Sequence, residues 1–204
     1  MKKNVKARKI KYVWHFTRLA NLESIAEHGL ICRDKAEKLD CPPTFNDAHR
    51  FDCETSAICC SIGHPNYKMF WGLRQDYPNE DWVVLACKSK ILWQKDCAFC
   101  IENAASNNVT CVPISDRKGA AAFERMFDEI GGKPSRKELG LRDSTPTNPQ
   151  AEVLVFDDIE RKLIVAVVCE TKVQAKALAG EYPKLDFGFS KAPFLPRNDF
   201  KHWQ

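Results

Sequence analysis

Apolar and polar positions fall into a series of short elements separated by turn signals. "IKYVWHFT" (10–17) reads as a strand. Alternation puts Tyr12, Trp14 and Phe16 on one face and Val13, His15 and Thr17 on the other. A helix is expected over 22–28, where Leu22, Ile25 and Ala26 share a face, Asn21 is a favoured N-cap and Gly29 a favoured terminator. "SAICCSIG" (56–63) is a short buried-type strand, and "PNYKMFWGL" (65–73) a helix with Pro65 near its first turn. "DWVVLACK" (81–88), "CAFCI" (97–101), "AEVLVF" (151–156) and "KLIVAVVC" (162–169) read as strands. "GAAAFERMFDEIGG" (119–132) is an amphipathic helix, with Phe123, Met126, Phe127 and Ile130 at i, i+3, i+4, i+7 spacing. A last helix is expected over 172–179, before Gly180 and an irregular, Pro-rich tail. The polar stretches 33–54 and 131–150 read as long loops, which in compact domains are usually functional or disordered. Strands, an inserted helix and strands again make an α+β chain, without the βαβα alternation of a doubly wound fold.

The 204 residues suit one domain with a sizeable core. No run approaches the roughly 18 apolar residues of a membrane span. The basic N-terminus lacks an apolar segment behind it, so a cytoplasmic protein with no membrane partner is expected. The ten cysteines are then expected as reduced thiols. Net charge is +4 but unevenly placed. Lys2, Lys3, Lys6, Arg8, Lys9 and Lys11 precede the first acid, Glu23, and a second cluster holds Lys133, Arg136, Lys137 and Arg142. Each cluster is either a surface for a polyanion or a solvated tail or loop.

The sequence excludes several chemistries. There is no GxxxxGK[ST], GxGxxG or GxSxG. The CxxC of Cys97 and Cys100 falls inside a strand, where an offset of three sends the two thiols to opposite faces, so no metal is expected. Three residues stand out, each with a plainer reading. His15 is a ligand-facing or a packed strand histidine. Arg50 beside "FDCETSAI" is a binding or a surface arginine. Glu152, opening an apolar strand after a long loop, points into a cleft or into water at a sheet edge.

"HFTRLANLESIAEHGL", "RFD" followed by "SAICCSIGHPNYKMF", "FCIENAAS" and "QAEVLV" occur in this order. Together they resemble the DarT-type ADP-ribosyltransferases, toxins that attach ADP-ribose from NAD to bases of single-stranded DNA. "SIGHPNYKMF" looks more like the guanine-targeting branch than the thymine one. The resemblance implies an α+β fold with a split pair of small, mostly antiparallel sheets around an NAD cleft. His15, Phe16 and Thr17 would contact the nicotinamide and its ribose, and Asn21 and Ser24 would face the nucleotide. Tyr67 and Met69 would line the nicotinamide side. The loop 33–50 would cover NAD, with Arg50 on the diphosphate, and Glu152 would be the catalytic glutamate. A substrate-recognition loop at about 119–151 would bring Lys133, Arg136, Lys137 and Arg142 to DNA. Trp14, Trp71 and Trp203 could stack on unpaired bases. The implied state is a monomer using NAD as co-substrate without metal, encoded near an ADP-ribosyl-glycohydrolase antitoxin, in a toxin–antitoxin or phage-defence role. The alternatives are the same transfer to RNA or protein, and a non-catalytic basic nucleic-acid-binding module.

Overall fold

The structure, a computed structural model, describes residues 1–40, 42–45 and 54–204. The elements run α1 (Lys2–Ala7), β1 (Tyr12–Arg18), α2 (Leu22–His28), α3 (Arg33–Ala36), β2 (Ile58–Ile62), α4 (Tyr67–Asp76), β3 (Trp82–Lys88) and α5 (Ile91–Gln94). There follow β4 (Cys97–Cys100), α6 (Asn107–Thr110), α7 (Gly119–Arg125), β5 (Glu152–Val155), β6 (Ile164–Cys169), α8 (Lys172–Glu181) and β7 (Phe187–Phe189). The strands join in the order β4-β5-β2-β1-β3-β6-β7. Neighbours are antiparallel except β6 and β7, which run parallel.

One junction is much weaker than the rest. β1 pairs with β3 along its whole length, from Tyr12 against Lys88 to Arg18 against Trp82. It pairs with β2 only at Val13–Ile62 and Trp14–Ser61. Beyond Trp14 the two strands part and the sheet forks. The expected split is therefore a pair of wings, β4-β5-β2 and β1-β3-β6-β7, hinged at two residue pairs.

The strand sequences are apolar because both faces are covered. Val83, Leu85 and Cys87 of β3 join the main core with Val13, Cys60, Val153 and, from α7, Phe123. The alternate residues Trp82 and Val84 pack with Phe70 of α4 and Phe194 of the tail, against Trp14 and Phe16. The same alternation puts Cys97 in the main core and Cys100 in a separate cluster with Leu154 and Val109. The eight described cysteines are free thiols. Burial raises Cys87 and Cys97 to about 12.

Three expectations change. The basic N-terminus is a helix, anchored by Val5 at 1% exposure. Its exit turn closes with Ile10 N–H donating to the Val5 carbonyl (3.2 Å) and puts Lys9 at φ +55°, the left-handed conformation. The helix expected over 119–132 stops at Arg125. The Met126 carbonyl instead accepts from Thr147 N–H (2.9 Å), which returns the chain of the long loop onto it. The tail, expected irregular, adds the edge strand β7 and buries Phe194 and Trp203.

Candidate active site

The fork in the sheet opens a cleft lined by Trp14, His15, Phe16 and Thr17 of β1, Asn21, Ser24 and Ile25 around α2, Cys59 to Ser61 of β2, Met69 of α4 and Glu152 of β5. Each side chain has a local reason to be there. His15 is the first β1 residue past the last β1–β2 pair, and its Nδ1 lies 2.8 Å from the Cys59 carbonyl across the gap. A carbonyl accepts, so Nδ1 carries the proton. Burial lowers the His15 pKa, against the raising effect of that bond. The neutral ring keeps Nε2 as an acceptor. Phe16 stacks on Phe70 at 4.6 Å between ring centres, which fixes its plane beneath the cleft.

Glu152 is 6% exposed. It pairs with Cys100 of β4 at the start of β5. Its Oε2 accepts from Ala104 N–H at 2.8 Å, and its Oε1 from Asn66 Nδ2 at 3.2 Å. Asn66 is fully buried and caps α4: its Oδ1 accepts from Met69 N–H (3.3 Å), while its own N–H donates to Ser61 Oγ (3.2 Å). One amide thus ties the helix start, β2 and the carboxylate together. Sequence reading missed Asn66 by placing the helix start at Pro65. The signal was there, since Asn is among the best N-caps.

Asn21 is expected to cap α2 and face the nucleotide, but its side chain makes no capping bond. Both its amide hydrogens are used, on Thr17 Oγ1 (2.8 Å) and the Thr44 carbonyl (2.9 Å), and its Oδ1 accepts from Thr44 N–H (2.8 Å). It is a strut that pins the segment 42–45 beside the cleft. Arg18, buried and also unforeseen, helps by donating to the Phe45 carbonyl (2.8 Å). Arg33 lies 4.6 Å over the Phe45 ring. Of the expected covering loop 33–50, residues 33–40 and 42–45 are described and begin with α3, while Arg50 lies outside the described residues.

Not every expected residue reaches the cleft. Met69 and Ser24 do; Tyr67 does not line it. Tyr67 is buried edge-on to His64, near Arg197 and Asp199. Two residues apart on a helix are about 200° apart around its axis, so Met69 and Tyr67 cannot share a wall. Of the basic cluster, Lys133 donates to the His202 carbonyl (2.8 Å), and Arg136 to Thr147 Oγ1 (2.7 Å) and the Arg142 carbonyl (2.9 Å). Those two hold the loop together; Lys137 and Arg142 are exposed. Trp203 is buried, its indole N–H on Asp199, and is closed to stacking, whereas Trp71 is 62% exposed. Among the described residues no group of three or more His, Cys, Asp or Glu side chains converges as a metal site. No helix among them is long and apolar enough to cross a membrane.

No curated protein matches the chain in sequence. Solved structures match its fold. Thermosipho africanus DarTG in complex with ADP-ribose superposes with a TM-score of 0.64 at 16% identity, over 92% of this chain and 52% of that one. The chain therefore spans about half of that longer protein. Thermus sp. 2.9 DarT in complex with NAD+ matches at 0.57 and 12% identity, covering 92% of this chain and 98% of that one. The same protein in complex with ADP-ribosylated ssDNA matches at 0.59 and 11%, covering 92% and 97%. The family model described as "ssDNA thymidine ADP-ribosyltransferase, DarT" matches residues 14–200, which include both wings and the cleft between them, and the chain thus belongs to the DarT family of NAD-dependent ADP-ribosyltransferases.

Proposed function

We propose that this protein transfers ADP-ribose from NAD to a base of single-stranded DNA, releasing nicotinamide, and that Glu152 is its catalytic residue. The observation that carries the reading is the Glu152 carboxylate, 6% exposed and oriented by two donors on the wall of a cleft rich in apolar and aromatic side chains. Fixed dipoles that aim a carboxylate at one point are what a cationic transition state needs. As the bond between nicotinamide nitrogen and ribose C1′ breaks, its electron pair leaves with nicotinamide and positive charge develops on the ribose. Glu152 accepts a hydrogen bond from the 2′-hydroxyl and stabilises that charge. A base nitrogen then bonds to C1′ and gives up a proton, to Glu152 or to water.

The residues present fit NAD. His15 Nε2 can accept from a ribose hydroxyl, Thr17 keeps a hydroxyl donor at the cleft, and Phe16 offers a flat, braced ring. Arg50 is proposed to grip the diphosphate with paired charge-assisted bonds, within a covering loop 33–50. The segment 119–151 is proposed to recognise the acceptor strand. Guanine is the favoured acceptor because the block around His64 and Asn66 resembles the guanine-targeting branch; thymine is the second reading, since the family description names thymidine. The physiological role proposed is that of a cytoplasmic, monomeric toxin opposed by an ADP-ribosyl-glycohydrolase, consistent with the likeness to DarTG.

Mass measurement of oligonucleotides after incubation with NAD, each offering one candidate base, tests the activity and names the base. Glu152→Ala should lower transfer by at least a thousandfold while the protein still melts cooperatively. Retained transfer in that variant would remove Glu152 from the catalytic role. Absence of an ADP-ribose increment on all four bases would overturn DNA as the acceptor.

A further inference from the structure

A second groove lies beside the cleft, on the outer side of Trp14. The turn between α1 and β1 forms one bank and residues 141–144 of the long loop form the other. Trp14 lines both the groove and the cleft, so the two adjoin across one side chain. At the floor, Gly63 at φ +76° lets the loop approach closely: a Cβ there would come within 2.9 Å of the Ser144 carbonyl. We propose that this groove binds the backbone and one unstacked base of the DNA strand flanking the acceptor base. The proposal rests on the reading above for its direction, since the strand must continue into the cleft.

The chemistry of the banks favours a single-stranded polyanion. Lys9, Lys11 and Arg142 are exposed there, and none of them forms an ion pair among the described residues. Arg8 is different: its guanidinium is held by Glu124 and the Asp143 carbonyl. Asp143 on the same bank offsets one charge and leaves the groove cationic. Between the cations stands Tyr12, 39% exposed, its ring edge-on to Trp14 at 5.8 Å. A ring presented between phosphate-binding cations offers a stacking platform that an unpaired base can reach and a duplex base cannot.

The backbone at Lys9 makes it a position to vary. Its left-handed conformation closes α1, and glycine or asparagine normally stands at such a position. Here a lysine does, with its side chain at the groove. Lys9→Gly therefore removes a groove charge while easing the backbone.

Fluorescence anisotropy with a labelled 20-mer single strand, titrated at several salt concentrations, tests this directly. The combined variant Lys9→Gly, Lys11→Ala, Arg142→Ala should bind at least tenfold more weakly. Its slope of log affinity against log salt should be shallower by about 2, roughly 0.7 for each phosphate that the protein no longer neutralises. Tyr12→Ala should weaken binding by about tenfold and Tyr12→Trp should restore it. Lys9→Gly alone should melt at or above the wild-type temperature, which separates lost binding from lost folding. Unchanged affinity and salt slope in the combined variant would overturn the groove, and equal affinity for a duplex of the same sequence would overturn its single-strand character. Groove-dependent binding without ADP-ribose transfer by the wild type would instead sink the proposed activity and leave the groove standing.

Discussion

The two ends of the chain grip the same long loop in different ways. At the N-terminus, Arg8 and Asn4 hold Glu124, and the Arg8 guanidinium lies 3.7 Å over Phe127 and donates to the Asp143 carbonyl. The Glu124 side chain is 38% exposed, so water and salt screen the pair. At the C-terminus, Arg197 pairs with Asp199 and donates to the Pro146 (2.9 Å) and Thr147 (3.0 Å) carbonyls; both charged side chains are buried, at 7% and 1%. The Trp203 indole completes the set by donating to Asp199 at 2.7 Å. The two grips use the same kinds of group, an arginine, a carboxylate and loop carbonyls, but the dielectric around them differs. Removing one partner from a screened pair costs little, whereas removing one from a buried pair strands a charge in a poorly solvating place.

The contrast is tested most severely by Arg197→Ala. It leaves Asp199 buried without its cation and should cost about 3–5 kcal/mol, a fall in melting temperature of roughly 6–20 °C for a chain of this size. It should also loosen 146–147, raising KM for the oligonucleotide more than KM for NAD. A fall no larger than that from Arg8→Ala would erase the distinction between the two grips.

Acidification sharpens the same comparison. Burial opposes ionisation of Asp199, but Arg197 and the Trp203 donor outweigh it and hold the carboxyl below its ordinary range. A depressed carboxyl contributes its full stability above the unfolded-chain value of about 3.9, and loses it as pH falls through the folded value. The stability gap between wild type and Asp199→Asn should therefore be constant from neutral pH to about pH 5 and close at lower pH. A gap that widened on acidification would mean that Asp199 is not ionised in the fold. The smallest effect belongs to Arg8→Ala: about 1 kcal/mol by thermal melts, and less at high salt.

Much of the fold was legible from sequence because strand periodicity survives wherever both faces of a sheet are covered. β3 is buried from Trp82 to Cys87 and β5 over its whole length, and both stand out as apolar runs, 82–87 and 153–155. What escaped was set by contacts remote in sequence. α1 has one buried apolar anchor, Val5, too little to rise above five flanking cations. α7 stops early because a loop amide twenty-one residues on, Thr147, occupies the Met126 carbonyl. At the site, strand position was legible: His15 and Glu152, singled out by residue type, both line the cleft. Orientation was not: α4 starts two residues later than expected, which makes Asn66 its N-cap, and Tyr67 faces away from the cleft.

The cysteines give the chain an internal clock. Cys87 and Cys97, raised to about 12 by burial, are almost wholly protonated at neutral pH and sealed from reagents. They come from β3 and β4, one in each wing. A thiol reagent can reach them only when the wing around each has opened, and each opening that it catches leaves a covalent mark. The rate at which the two cysteines are modified reads how often each side of the fork comes apart, residue by residue and with no label added.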